Sequence, residues 1–167
     1  NDVRKNGDSA VKKYERKFNG KSTSQLRVGA KEIKGARSKI SREEVTALQT
    51  MLSRLWNSSP KIQIRGSGKF VPIPSVGCYI PGGQARYPSS VIMSVIPAKI
   101  AGVKRIVVVS PPSRDGKIDP LTIAAAKKCG ATEIYKVGGA QAIGALAYGT
   151  KSIPKVDKIV GPGGKFV

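Results

Sequence analysis

The 167-residue sequence predicts an α/β fold: a parallel sheet flanked by helices, preceded by an N-terminal helical segment. Three observations carry that expectation. Short apolar segments rich in Val and Ile alternate with helix-like segments through the second half of the chain. Three glycine-rich loops follow such segments: Tyr79-Ile80-Pro81-Gly82-Gly83, Val137-Gly138-Gly139-Ala140-Gln141 and Val160-Gly161-Pro162-Gly163-Gly164. The first half, by contrast, is charged, with apolar residues at helical spacing.

The elements follow in order. Val3, Ala10, Val11, Tyr14 and Phe18 form a helix stripe that Asn19-Gly20 ends. Ser41 is the N-cap candidate of a further helix, with Glu43 and Glu44 suited to its first turn. Val45, Leu48, Leu52, Leu55 and Trp56 make that helix's packing face. Ile62, Ile64, Val71 and Ile73 alternate with polar or turn residues, which suggests strand structure before the first loop. A strand over Val76–Ile80 comes next. It leads to a helix over Pro88–Gly102, in which Pro97 predicts a kink. Lys104–Val109 reads as a buried strand. Asp119-Pro120 then supplies an N-cap acid and a first-position proline, and Gly130 ends the helix. Glu133–Val137 is the next strand, Gly139–Ala147 a helix of small residues closed by Gly149, and Asp157–Val160 the last strand. Residues 1–60 are thus expected to be a helical segment, and 61–167 the first part of the α/β domain. The chain opens on Asn1 and closes on Val167 just after a glycine-rich loop, so both ends read as cut.

Composition narrows the function. Hydrophobic residues at 40% can build a core, and aromatics at 5% leave that core mainly aliphatic. No apolar run approaches the ~20 residues of a membrane helix. Cys78 and Cys129 form neither a metal spacing nor a disulfide framework, which fits a reducing, cytoplasmic setting. Lys and Arg number 30 against 10 Asp and Glu, a net charge of +20, so an anionic ligand or nucleic acid has to be considered. No basic cluster with interleaved aromatics and no nucleic-acid motif supports the second. The absence of histidine removes the commonest general base and metal ligand from these residues.

The loops are where chemistry is expected. Glycine lets backbone approach a ligand closely, and a loop at a helix N-terminus presents free N–H groups to an anion. Gly138-Gly139 leads straight into a helix and offers a place for a pyrophosphate. Gln141 in the first turn can donate and accept, Tyr79 offers a ring face and a hydroxyl, and Gly161 to Gly164, with Pro162, offers the adjacent edge. There is neither a G-x-G-x-x-G fingerprint nor a P-loop, so composition alone also allows simple tight turns here.

Longer motifs carry a resemblance. Val76-Gly77-Cys78-Tyr79-Ile80-Pro81-Gly82-Gly83, Tyr87-Pro88-Ser89-Ser90-Val91-Ile92-Met93, Ser110-Pro111-Pro112, Lys136-Val137-Gly138-Gly139-Ala140-Gln141-Ala142-Ile143 and Ile153-Pro154-Lys155-Val156-Asp157-Lys158-Ile159-Val160-Gly161-Pro162-Gly163 resemble histidinol dehydrogenases. The likeness runs almost unbroken over residues 71–167 and more weakly over 1–20. It implies an incomplete Rossmann-like nucleotide domain. It also implies a homodimeric enzyme of the last steps of histidine biosynthesis, which oxidises L-histidinol to L-histidine with NAD and a zinc ion. The family's NAD contacts fall on Tyr79, Gln141 and position 164, where Gly164 replaces the usual Asn; Gly139 and Pro162 lie in the same loops. The family's zinc ligands and its Glu–His proton-transfer pair fall downstream of these residues, so no catalytic or metal residue is assigned here and this stretch alone is expected to be inactive. The alternative is a non-catalytic basic module that binds nucleotide or nucleic acid; a degenerate homologue is a third reading.

Overall fold

Local signals set most of the helix ends. The computed structural model describes residues 1–20, 25–58, 70–82 and 86–162. Helix α1 (Asp2–Asn19) ends on Gly20 in the left-handed conformation, and Gly7, at φ 51°, bends it. Helix α2 (Ala30–Arg37) begins after Gly29, whose N–H donates to the Glu32 carboxylate at 3.3 Å. Helix α3 (Arg42–Ser58) is capped by Ser41. The Ser41 Oγ accepts from the Glu44 N–H at 3.2 Å, and the Glu44 carboxylate accepts from the Ser41 N–H at 2.8 Å.

The α/β alternation follows: β1 (Ser75–Tyr79), α4 (Pro88–Ile100), β2 (Arg105–Ser110), α5 (Pro120–Cys129), β3 (Glu133–Lys136), α6 (Gly139–Tyr148) and β4 (Lys158–Val160). Asp119 caps α5 by accepting from the Thr122 N–H at 2.9 Å, and Gly130 ends it. Pro97 lies inside α4. Helix α2 answers to no signal that the sequence reading singled out.

Among the described residues the four strands pair in parallel in the order β3-β2-β1-β4, and a single antiparallel bridge joins Arg27 to Tyr135. Cys78 is in register with Val108 on one side and Val160 on the other. The sequence-predicted α/β class is therefore the observed one, a four-stranded parallel sheet flanked by helices. Parallel strands place all four carboxyl ends on one edge. The order runs outward from β1 to β3, then returns so that β4 lies on the other side of β1. That reversal makes the β1–β4 junction the topological switch point, where such sheets form a crevice.

Alternate strand residues feed two cores. Val76, Cys78, Ile106, Val108 and Ile134 face α4 and α5, with Val28 from the preceding loop, Ala36 of α2 and Leu48 of α3 in the same cluster. Tyr79, Val107, Val109, Tyr135 and Val137 face the other way, onto Ala142, Ala145 and Leu146 of α6 and Val3, Ala10 and Val11 of α1. The helices before residue 60 thus supply part of both cores.

Two expectations need correction. The alternation at Val71 and Ile73 does not make a strand: residues 70–74 pair with no strand and lie outside the sheet, with Val71 72% exposed, and a strand needs a partner for its backbone groups. The rest of that expectation, Ile62 and Ile64, lies outside the described residues. Trp56 is also exposed; α3 packs through Leu48, Leu52 and Leu55 instead.

Polar pairs fasten the amino-end edge. The Ser75 Oγ donates to Asp157 at 2.6 Å and accepts the Asp157 N–H at 3.1 Å, tying β1 to β4. Arg105 forks onto Glu133 at 2.7 and 3.3 Å, tying β2 to β3. Outside β3, the Val28 N–H donates to Ile134 and the Lys136 N–H to Leu26, so the chain before α2 covers that edge.

Candidate functional site

The carboxyl edge carries the loops singled out in the sequence, and they touch one another. Pro111, after β2, sits between the loops after β1 and β3. A Cβ on Gly138 would stand 2.3 Å from the Pro111 Cβ, and one on Gly82 would stand 2.9 Å from the Pro111 carbonyl. Only a hydrogen fits at Gly138, so the need for glycine there is one of space. Gly161, after β4, has φ 143° and lies against the Tyr79 backbone at the switch point.

Tyr79 and Gln141 are held in one network. The Gly139 N–H donates to the Tyr79 hydroxyl at 3.2 Å. The Gly138 N–H donates to the Glu15 carboxylate at 3.0 Å, and the Gln141 Nε2 donates to the same oxygen at 2.8 Å. The second Glu15 oxygen accepts from the Asn19 Nδ2 at 2.6 Å. Tyr79, Gln141 and Glu15 are all buried, Glu15 at 1% exposure. The two N–H groups at the start of α6, expected to face a pyrophosphate, are thus turned to Glu15 and Tyr79.

Of the other site residues, Pro162 follows Gly161 on the exposed side of the switch point. There it lines a cleft of about 650 Å³ with Met93, Pro97 and Val160. Gly164 lies outside the described residues. A second cavity of about 470 Å³ opens where the loops after β1 and β2 meet the start of α5; Ser110, Pro111, Arg86, Arg114, Lys117 and Asp119 line it. Arg86 there pairs with Glu44 and Asp119, and these contacts, outweighing its partial burial, hold its pKa above the usual value.

Glu15 was missed in the sequence, though one signal was present. It stands four residues after Val11, so a carboxylate falls on the buried stripe of α1. Cys78, at the heart of the sheet, is no nucleophile for this edge, because burial pushes its thiol up to about 12. Among the described residues no group of three or more His, Cys, Asp or Glu stands close enough to hold a metal ion. The residues present therefore do not fit zinc. No described helix is long and apolar enough to cross a membrane.

Known proteins resemble this chain in sequence and in fold. The family described as histidinol dehydrogenase matches residues 1–167. The histidinol dehydrogenase of Oceanobacillus iheyensis is 45% identical, over 96% of this chain and 40% of its own length. That of Dehalococcoides mccartyi is 48% identical, over 99% of this chain and 40% of its own. The crystal structure of histidinol dehydrogenase from Elizabethkingia anophelis matches with a TM-score of 0.89 and 36% identity, over 99% of this chain and 41% of that one. The chain thus spans about two fifths of the length of the relatives it matches.

Proposed function

The chain belongs to the histidinol dehydrogenase family, and from that premise we propose that it forms the dinucleotide side of an NAD-dependent enzyme. The whole protein would oxidise L-histidinol through L-histidinaldehyde to L-histidine, as a cytoplasmic homodimer. The observation that carries the reading is the convergence of Tyr79, Gly139 and Gln141 on one sheet edge, beside the β1–β4 switch point.

These residues fit a dinucleotide. When bound, NAD accepts a hydride in each of the two oxidations. The chain's own part is binding and orientation. The Tyr79 hydroxyl accepts from Gly139 and so keeps its proton for a ligand acceptor. Gln141 brings an amide into the same corner. Gly161 and Pro162 form the far wall of the crevice, where Gly161 brings bare backbone close to Tyr79. Gly164 in place of the family's Asn leaves only backbone to contact the dinucleotide at that position. Zinc and the proton-transfer residues belong, in this reading, to the part of the relatives that this chain does not span.

A non-catalytic anion-binding module is the second reading, favoured by the net charge of +20. Salt separates the two. Calorimetric NAD affinity of the full-length protein should change little between 50 and 200 mM salt, whereas a nucleic-acid surface would lose affinity steeply, on the order of 10³-fold if six or more phosphates are contacted. A full-length protein that makes no NADH from histidinol would sink the first reading.

A further inference from the structure

We propose that Glu15 is a positioning residue for the dinucleotide: its carboxylate fixes which end of the Gln141 amide faces the ligand. This rests on the NAD reading above.

Glu15 reaches the sheet edge from α1, 126 positions away from Gln141. It is 1% exposed, and among the described residues no cation pairs with it. A buried carboxylate without a cation needs several donors. It has three, the Gly138 N–H, the Gln141 Nε2 and the Asn19 Nδ2. It also stands at the start of α6, where the helix dipole favours a negative charge. The carboxylate thus takes the place that a ligand's anion would otherwise take at this helix start. The dinucleotide's phosphates must lie farther along the edge, toward Gly161.

The second consequence concerns polarity. The Glu15 oxygen that takes the Gly138 N–H is the acceptor here, so Gln141 turns its NH2 group toward Glu15. The Gln141 Oε1 then points the other way. It lies beside Gly139, 2.9 Å from where a Cβ on that residue would be. Gly139 in turn meets the Tyr79 hydroxyl. The corner therefore presents an acceptor, the Gln141 Oε1, near a donor, the Tyr79 O–H. That pair suits a group that both gives and takes a hydrogen bond, such as a ribose hydroxyl or the amino edge of adenine. Without the charge at position 15, either end of the amide could face the ligand.

The test is a double-mutant cycle in the full-length enzyme, read as the NAD dissociation constant by calorimetry. Glu15→Gln keeps shape and removes the charge; it should weaken NAD binding about tenfold, with the KM for histidinol at saturating NAD little altered. Gln141→Leu should weaken NAD binding by a similar factor. Combined, the two should cost no more than Gln141→Leu alone, because Glu15 acts through Gln141. A role confined to anchoring α1 gives a different result: additive losses, or a lower melting temperature with NAD affinity within twofold of wild type. Either outcome overturns the proposal. If Glu15→Gln does not fold, Gln141→Leu still decides, since unchanged NAD affinity in that variant removes the residue through which Glu15 is said to act. A wild-type enzyme that binds no NAD would instead bring down the NAD reading, and this proposal with it.

Discussion

Gly161 stands so close to Tyr79 that a Cβ on it would lie 2.3 Å from the Tyr79 carbonyl oxygen. The contact joins the end of β4 to the end of β1 at the one place where the strand order reverses. Backbone meets backbone there, so no side-chain rearrangement can relieve an added methyl.

Gly161→Ala should therefore destabilise the protein by about 3 kcal/mol, from the overlap together with a φ of 143° that side chains rarely adopt. Urea unfolding measures it. A loss under ~1 kcal/mol would mean that β4 moves away from β1 freely, and that the crevice is less fixed than described.

Tyr79→Phe keeps the ring and removes the hydroxyl that accepts from Gly139. Stability should fall by about 1 kcal/mol and NAD affinity by about fivefold to tenfold, since both the loop and the ligand lose a partner. Equal NAD affinities for the two proteins, measured by calorimetry, would take Tyr79 out of the site.

Glu133 contributes to the acid-side pH dependence. Its hydrogen bonds with Arg105 outweigh partial burial, and with help from Tyr135 they hold its pKa below the usual 4.5. A depressed folded value means that the contribution is fully present above 4.5 and is lost as the pH falls through the lower value. Glu133→Gln should thus be less stable than wild type by about 1 kcal/mol at neutral pH, and the gap should close well below pH 4.5. An unchanged gap at acid pH would assign the effect to packing.

Both cysteines should be silent in the folded protein. Burial pushes Cys78 and Cys129 up to about 12 from 9.0. That lowers the thiolate fraction at pH 8 by about a thousandfold before access is counted. A thiol reagent at pH 8 should label both residues in urea and neither in buffer. Rapid labelling of Cys78 in buffer would show that β1 opens readily.

Signals that act over a few residues were legible. Ser41, Asp119-Pro120, Gly20, Gly130 and Gly149 mark helix ends because caps are made by neighbours in the chain. Strands β1 to β4 stood out as apolar runs because a parallel sheet covered on both faces needs such runs. Loop glycines located the carboxyl edge. What could not be read was who meets whom. Val71 and Ile73 alternate like a strand, but a strand also needs a partner, and residues 70–74 pair with none. Glu15 looked like one more charge on a charged helix, since two of its three partners lie 123 and 126 positions away. Motif resemblance alone brings Tyr79 and Gln141 to one site; the Gly139 turn that links them shows only in the fold.

The fastening of α1 to Gly138 and Ser152 also imposes an order of assembly. Asp8 takes both the N–H and the hydroxyl of Ser152, 144 positions later, and Glu15 takes the Gly138 N–H, 123 positions later. A ribosome adding about 5–20 residues per second needs roughly 6–25 seconds to cover the shorter of these intervals. For that time α1 has neither of these anchors and no α6 to cover its Val3, Ala10 and Val11. Until then α1 is an amphipathic helix whose apolar stripe has no cover from α6. The corner at Tyr79 and Gln141 is closed only when α1 packs onto the start of α6.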